Sequence, residues 1–184
     1  SAIGVWQGVC GDAEPILEIR ISDGHSPLFL HYDHRALGDA PLGHIVENRV
    51  LRRALLARLA ALPNVTMVTG TRIRRLERGG AVADAETDSG LRITARLAVA
   101  TDGRGSPTRQ QAGIDTVAWN YSQTGIVCTV AHQHDHRGIA QERFLPAGPF
   151  AILPMTQRRS SIVWTERADL APRLLALDRP ALTE

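Results

Sequence analysis

The sequence predicts an α+β chain in which one helix-and-strand unit is flanked on both sides by antiparallel strand material. Three observations carry that reading. Leu51, Ala54, Leu55, Arg58, Leu59 and Leu62 recur at helical spacing and fall on a single stripe. Short alternating or apolar runs, bounded by Gly, Pro and Asp, lie before that helix and again after Ile114. Between them an apolar run, Leu97 to Ala100, ends in Asp102-Gly103-Arg104-Gly105-Ser106-Pro107-Thr108-Arg109, the pattern of a strand that turns sharply into a helix. With 184 residues, 43% hydrophobic and 22% charged, the chain can bury a core.

In chain order, Leu17, Ile19 and Ile21 alternate with Glu18 and Arg20, a half-buried strand ending at Ser22-Asp23-Gly24. Leu28 to Tyr32 pairs back on it, and Arg35 to Leu42, with Gly38 and Pro41, is a connector. The helix takes Asn48 as its N-cap and stops at Pro63-Asn64. Val65 to Val68 is a short strand. Ile73 to Leu76, Val82 to Thr87 and Leu91 to Ala95 form a meander with turns at Gly79-Gly80 and Asp88-Ser89-Gly90. Leu97 to Ala100 is a buried strand. Four further strands follow: Thr124 to Ala131, Ile139 to Leu145, Phe150 to Leu153 and Ser161 to Thr165. Ala168 to Leu177 is helical, capped by Asp169 with Pro172 in its first turn. The layout divides the chain at 1–41, 42–115 and 116–184, so that one domain leaves and re-enters another.

Several function classes are excluded. The net charge of +2 is spread over scattered arginines, unlike the dense one-faced cluster of a nucleic-acid binder. Two cysteines, Cys10 and Cys128, stand in no metal or redox spacing, and a reduced cytoplasmic compartment is the default. No apolar run approaches the roughly 20 residues of a membrane span, so membrane contact would be peripheral. His132, His134 and His136 would share one face of an extended strand. No cysteine or carboxylate cluster completes a ligand shell, however, and Asp135 to Gly138 reads as a hairpin turn, so no metal site is expected. Gly103 and Gly105 open a dinucleotide fingerprint, but Thr108 stands where its third glycine belongs. No Gly-x-Ser-x-Gly elbow and no standout acid pair occur, and no side chain is nominated as catalytic. The residues by themselves read Asp102 as the cap of a strand-to-helix turn.

A family resemblance adds to this. Asp102, Gly103, Ser106 and Arg109 match, in order and spacing, the Asp-Gly-x-x-Ser-x-x-Arg motif of flavin-dependent aromatic hydroxylases similar to para-hydroxybenzoate hydroxylase. Thr101 departs mildly from the alanine more usual there. Gln141 to Pro154, followed by Ser160-Ser161-Ile162-Val163-Trp164-Thr165, resembles the ubiquinone-biosynthesis branch, the 2-octaprenyl-6-methoxyphenol hydroxylase group. Tyr121 to Val127 and Gly43 to Asn48 fit the same branch, so the resemblance spans nearly the whole chain.

The resemblance implies part of an FAD/NAD(P)-binding α/β domain over 42–115 and a mixed or antiparallel substrate-domain sheet over 1–41 and 116–184. It places Asp102, Gly103 and Arg109 at the ribityl and pyrophosphate region of FAD. An Arg-x-x-Leu-x-x-x-Leu helix register, fixed by Leu51 and Leu55, puts Asn48 in the arginine's place. Arg49 next to it is turned about 100° around the helix, and both are expected at the cofactor. Phe150 and Leu153 are expected to line the substrate pocket. The implied enzyme uses FAD, NAD(P)H and dioxygen to hydroxylate the ring of a polyprenylated ubiquinone precursor, whose tail accounts for peripheral membrane association. The cofactor carries the chemistry, while the protein orients the ring and excludes water.

Further expectations follow. The chain lacks a Gly-x-Gly-x-x-Gly strand-turn-helix and the family's later Gly-Asp segment, begins without methionine and ends in a helix-like pattern. It is therefore read as an internal piece that alone binds FAD weakly or not at all, with exposed packing surface favouring a homodimer or an artificial dimer. Two alternatives stay open: a non-enzymatic binding or interaction module on the same strands, and a related flavin monooxygenase with a different aromatic or isoprenoid substrate.

Overall fold

The computed structural model describes residues 3–24 and 26–177. Along the chain lie β1 (Glu14–Ile16), β2 (Glu18–Asp23), β3 (Phe29–Asp33), β4 (Gly43–Ile45), α1 (Asn48–Ala60), β5 (Ile73–Gly79), β6 (Val82–Thr87), β7 (Arg92–Ala95), α2 (Pro107–Gln111), β8 (Gln123–Ala131), β9 (Ile139–Leu145), β10 (Gly148–Met155), β11 (Arg159–Arg167) and α3 (Ala171–Leu175). They fall into two units, one running to Leu62 and resuming at Tyr121, the other covering Pro63–Asn120.

The first unit is built on a six-stranded mixed sheet of order β3-β2-β9-β10-β11-β8, beside a small β1–β4 ladder. All its ladders are antiparallel except β2–β9. A parallel pair cannot be closed by a tight turn, and here everything between Gly24 and Gly138 serves as the crossover. Residues paired across a ladder share a sheet face. One face therefore carries the row Phe29–Ser22–Arg143–Phe150–Trp164–Ile126, and the other carries Leu30–Ile21–Glu142–Ala151–Val163–Val127. The start of α1 lies against the second face, where Arg159 Nη2 donates to Glu47 Oε2 at 3.3 Å. Val50 is the most buried residue of α1, with Leu51, Ala54 and Leu55 half-buried beside it. Gly8 lets an N-terminal turn close on this helix, because a Cβ there would stand 3.2 Å from that of Ala54.

In the second unit, β5, β6 and β7 form the expected antiparallel meander. Val65 to Val68 and Leu97 to Ala100 do not form the expected strands. A strand exists only through a hydrogen-bonded neighbour, and among the described residues neither segment has one. Leu97 and Val99 are 75% and 73% exposed, so the segment expected to be buried is not.

Three boundary expectations also change. Glu47, not Asn48, is the N-cap of α1, and its carboxylate is drawn away from capping by Arg49 and Arg159. Asp169 does not cap α3, whose N-cap is Leu170, because Arg167 binds both its carboxylate oxygens, at 3.0 and 2.7 Å. The helix-like pattern beyond Leu177 lies outside the described residues. The turn at His136–Ile139 forms, with Ile139 N donating to His136 O at 3.0 Å, yet it joins no hairpin. The strand after it, β9, sits three places from β8 in the sheet.

That turn pins the sheet to the β1–β2 corner. Gly138 has φ +66°, and a Cβ on it would lie 2.9 Å from Leu17 Cγ and 3.0 Å from the Pro15 carbonyl oxygen. Its own carbonyl accepts from Leu17 N at 2.8 Å. Replacing Gly138 with valine is expected to cost about 2–5 kcal/mol, combining left-handed strain with overpacking. Urea denaturation checks this, and an unchanged midpoint would contradict it.

Candidate functional site

The Asp-Gly turn lies wholly in the second unit. Asp102 Oδ1 accepts from Ser106 Oγ at 2.5 Å and Oδ2 from Thr108 N at 3.1 Å. Ser106, nearly buried, is the N-cap of α2 and accepts from Arg109 N at 2.9 Å, with Pro107 opening the helix. Two amides that the helix start leaves unpaired are thus satisfied, one by each side chain. The capping role read from the residues alone is present. These donors, the Ser106 hydroxyl first and the Thr108 amide next, hold the Asp102 carboxyl down at about 2.

Each Asp102 oxygen accepts a single side-chain or backbone bond here, and a carboxylate oxygen can accept two. Gly103 has φ +86°, and nothing lies within 4 Å of where a Cβ would stand, so the turn faces open space. Arg109 donates one Nη2 bond to the Arg104 carbonyl at 2.9 Å. All three nominated residues of this turn line a groove of about 760 Å³, with Leu76, Val82 and Ile114 as apolar wall and Arg78 and Arg96 as further cations.

The low Asp102 value gives a pH test. A carboxyl with a depressed value stays ionised as pH falls through the ordinary 3.8, and its contribution is lost only nearer 2. Ser106→Ala removes the largest cause, so carboxyl NMR between pH 5 and 3 is expected to show Asp102 titrating in the variant but not in the parent. Identical titration in both would contradict the geometry.

The remaining nominated residues lie in the first unit. Asn48 and Arg49 open α1, both exposed, and Arg49 is paired with Glu47 at 2.8 Å. Arg49 and Arg159 hold the Glu47 carboxyl below its usual range. Glu47, Asn48 and Arg49 face Thr129, Met155 and Ser161 across a shallow pocket of about 390 Å³. Phe150 and Leu153 do not line one surface, because three residues along a strand point to opposite faces. Phe150 sits edge-on to Trp164, ring centres 6.1 Å apart, in a groove of about 680 Å³ on the face away from α1. Leu153 pairs with Ser161, which pairs with Thr129, and so belongs to the α1 face.

The histidines do not share a strand face, since β8 ends at Ala131. His132 Nδ1 meets the His134 carbonyl at 2.5 Å and its Nε2 meets Ser160 Oγ at 3.0 Å. His136 Nε2 meets the Met155 carbonyl at 2.9 Å, and its Nδ1 accepts from Gly138 N at 3.0 Å. Their ring nitrogens hold the corner of the sheet together. Among the described residues, no three His, Cys, Asp or Glu side chains are grouped for a metal ion.

The family model of the FAD binding domain matches residues 2–176. The chain belongs to that family. It is 52% identical over 175 residues to the ubiquinone hydroxylase UbiL of Rhodospirillum rubrum, covering 95% of this chain and 41% of that protein. It is 30% identical to the mitochondrial ubiquinone biosynthesis monooxygenase COQ6 of Mus musculus, covering 97% of this chain and 39% of that one. Among solved structures, Pseudomonas aeruginosa PqsL superimposes with a TM-score of 0.80 at 19% identity, over 95% of this chain and 50% of that one. The chain thus spans about two fifths of the length of these curated relatives. Among the described residues, no helix is long and apolar enough to cross a membrane.

Two features escaped nomination from sequence. Ser106, quoted in the motif, is what fixes the Asp102 carboxylate. Glu142, quoted in the strand motif, has Ile21 and Ala151 as its direct partners on the α1 face, with Asp23 diagonal to it. The signal for Glu142 was the alternation of β9 read against its partner strands, which needs the register.

Proposed function

We propose that the protein to which this chain belongs is an FAD-dependent monooxygenase that hydroxylates the aromatic ring of a polyprenylated phenol on the route to ubiquinone, with NAD(P)H and dioxygen. The observation that carries this reading is the 52% identity, across 95% of the chain, with a protein named ubiquinone hydroxylase. When bound, FAD supplies the activation of oxygen and the hydroxyl transfer. The donor set of the Asp-Gly turn suits that group. Asp102 has acceptor capacity left for polyol hydroxyls, Arg109 has N–H groups left for phosphate oxygens, and Gly103 leaves the backbone open to close approach. In the other unit, Asn48 and Arg49 stand exposed at the start of α1, where a helix favours negative charge. The sheet face beside them, with Leu153, Ala151 and Val163, supplies an apolar floor on which a ring can lie shielded from water. Exposed Leu28, Phe29 and Leu30, around the edge strand β3, support a peripheral contact with the lipid that holds a prenylated substrate.

The test is product analysis. Protein from the complete open reading frame, supplied with FAD, reduced nicotinamide, air and a prenylated phenol in micelles, is expected to return a product heavier by one oxygen atom. Nicotinamide-dependent flavin reduction without any oxygenated ring would refute the assignment.

A further inference from the structure

Glu142 is the one ionisable side chain in its cross-strand row, with Ala151 and Ile21 as its direct partners and Val163 and Leu30 beyond them. It is half-buried and makes no side-chain hydrogen bond or ion pair with any described residue. Its carboxylate oxygens are therefore open to a donor from outside the sheet. The neighbouring Arg143 cannot serve, because it points to the opposite face and gives both Nε and Nη2 to the Gly24 carbonyl, at 3.0 and 2.6 Å. Leu153 is the diagonal neighbour of Glu142 on the same face, a separation of roughly 7–8 Å. From Leu153 the surface continues through Ser161 to the pocket at the start of α1. A ring laid on Ala151 and Leu153 therefore has Glu142 at its edge.

We infer that Glu142 is the positioning residue for the aromatic substrate, accepting a hydrogen bond from the phenol hydroxyl of a ring that lies on Ala151 and Leu153. This rests on the hydroxylase reading given above. An ionised carboxylate only accepts hydrogen bonds, so the group it selects is a neutral hydroxyl donor. An aromatic acid is disfavoured, since its anionic carboxylate would face a like charge. Among the described residues, the arginines beside the pocket at the start of α1, Arg49 and Arg159, are both paired with Glu47. Ala151, opposite Glu142, is small enough to leave the ring room. Ring orientation then follows from one polar contact on an apolar floor, which decides the carbon presented for hydroxylation.

The experiment uses FAD-loaded protein from the complete open reading frame, in micelles, and calorimetric titration with 2-farnesylphenol and with its O-methyl ether. Wild type is expected to bind the phenol at least about ten-fold more tightly than the ether, the size of a hydrogen bond to a charged acceptor. Glu142→Ala is expected to erase that preference while leaving ether affinity and the flavin spectrum unchanged. Glu142→Gln, which keeps a neutral acceptor, is expected to retain part of it. A phenol-to-ether ratio that is the same in wild type and both variants overturns the role of Glu142 and leaves the hydroxylase reading standing. Failure of wild type to bind either ring overturns both.

Discussion

Titrated with FAD, the 184-residue chain by itself is expected to take up little or none, whereas protein from the complete open reading frame takes up one equivalent. The physical reason is the small number of contacts on offer. A glycine-rich phosphate loop works by turning several backbone amides onto a pyrophosphate at a helix start, and no Gly-x-Gly-x-x-Gly occurs in the sequence. What remains is one carboxylate with a single further acceptor position on each oxygen, together with Arg109 and an open groove. Such a set orients a cofactor held elsewhere but does not repay the loss of freedom on binding. Tight, stoichiometric uptake by the chain alone would contradict this.

The second large effect is expected at Asp102 in the complete protein. Asp102→Ala removes a charged acceptor from the cofactor and from the α2 cap at once. FAD affinity is expected to fall about ten- to hundred-fold, the worth of one or two charge-assisted hydrogen bonds. Asp102→Asn keeps the carbonyl oxygen, so it is expected to lose less of the cap and part of the affinity. Flavin fluorescence titration measures both, and an alanine variant that binds FAD like wild type would remove Asp102 from the cofactor site.

Much of this was legible in the sequence because local patterns carry it. The alternation Leu17-Ile19-Ile21 and the runs from Thr124 to Thr165 became neighbouring strands, because each found a ladder partner inside the chain. The meander from Ile73 to Ala95 needed only its own turns. Leu97 to Ala100 failed for the complementary reason. Its apolar run announces burial, but burial is a property of what lies against it, and nothing described pairs with it.

The site divides in the same way. Asp102, Gly103 and Arg109 stand within eight residues of one another, so spacing alone gathers them. Phe150 and Leu153, chosen for their apolar character, end on opposite faces, because i, i+3 spacing that unites a helix divides a strand. Asn48 begins the helix one place after its N-cap Glu47, whose carboxylate is engaged by Arg159, 112 residues away, a contact that no local pattern signals. Glu142 became visible only once the register set Ala151 and Ile21 beside it.

The most direct test of the central claim is the visible absorption spectrum of protein purified from the complete open reading frame, recorded before and after adding reduced nicotinamide. A flavin envelope that bleaches without oxygen and returns with air is the predicted result. A colourless product that takes up no added FAD would contradict the account.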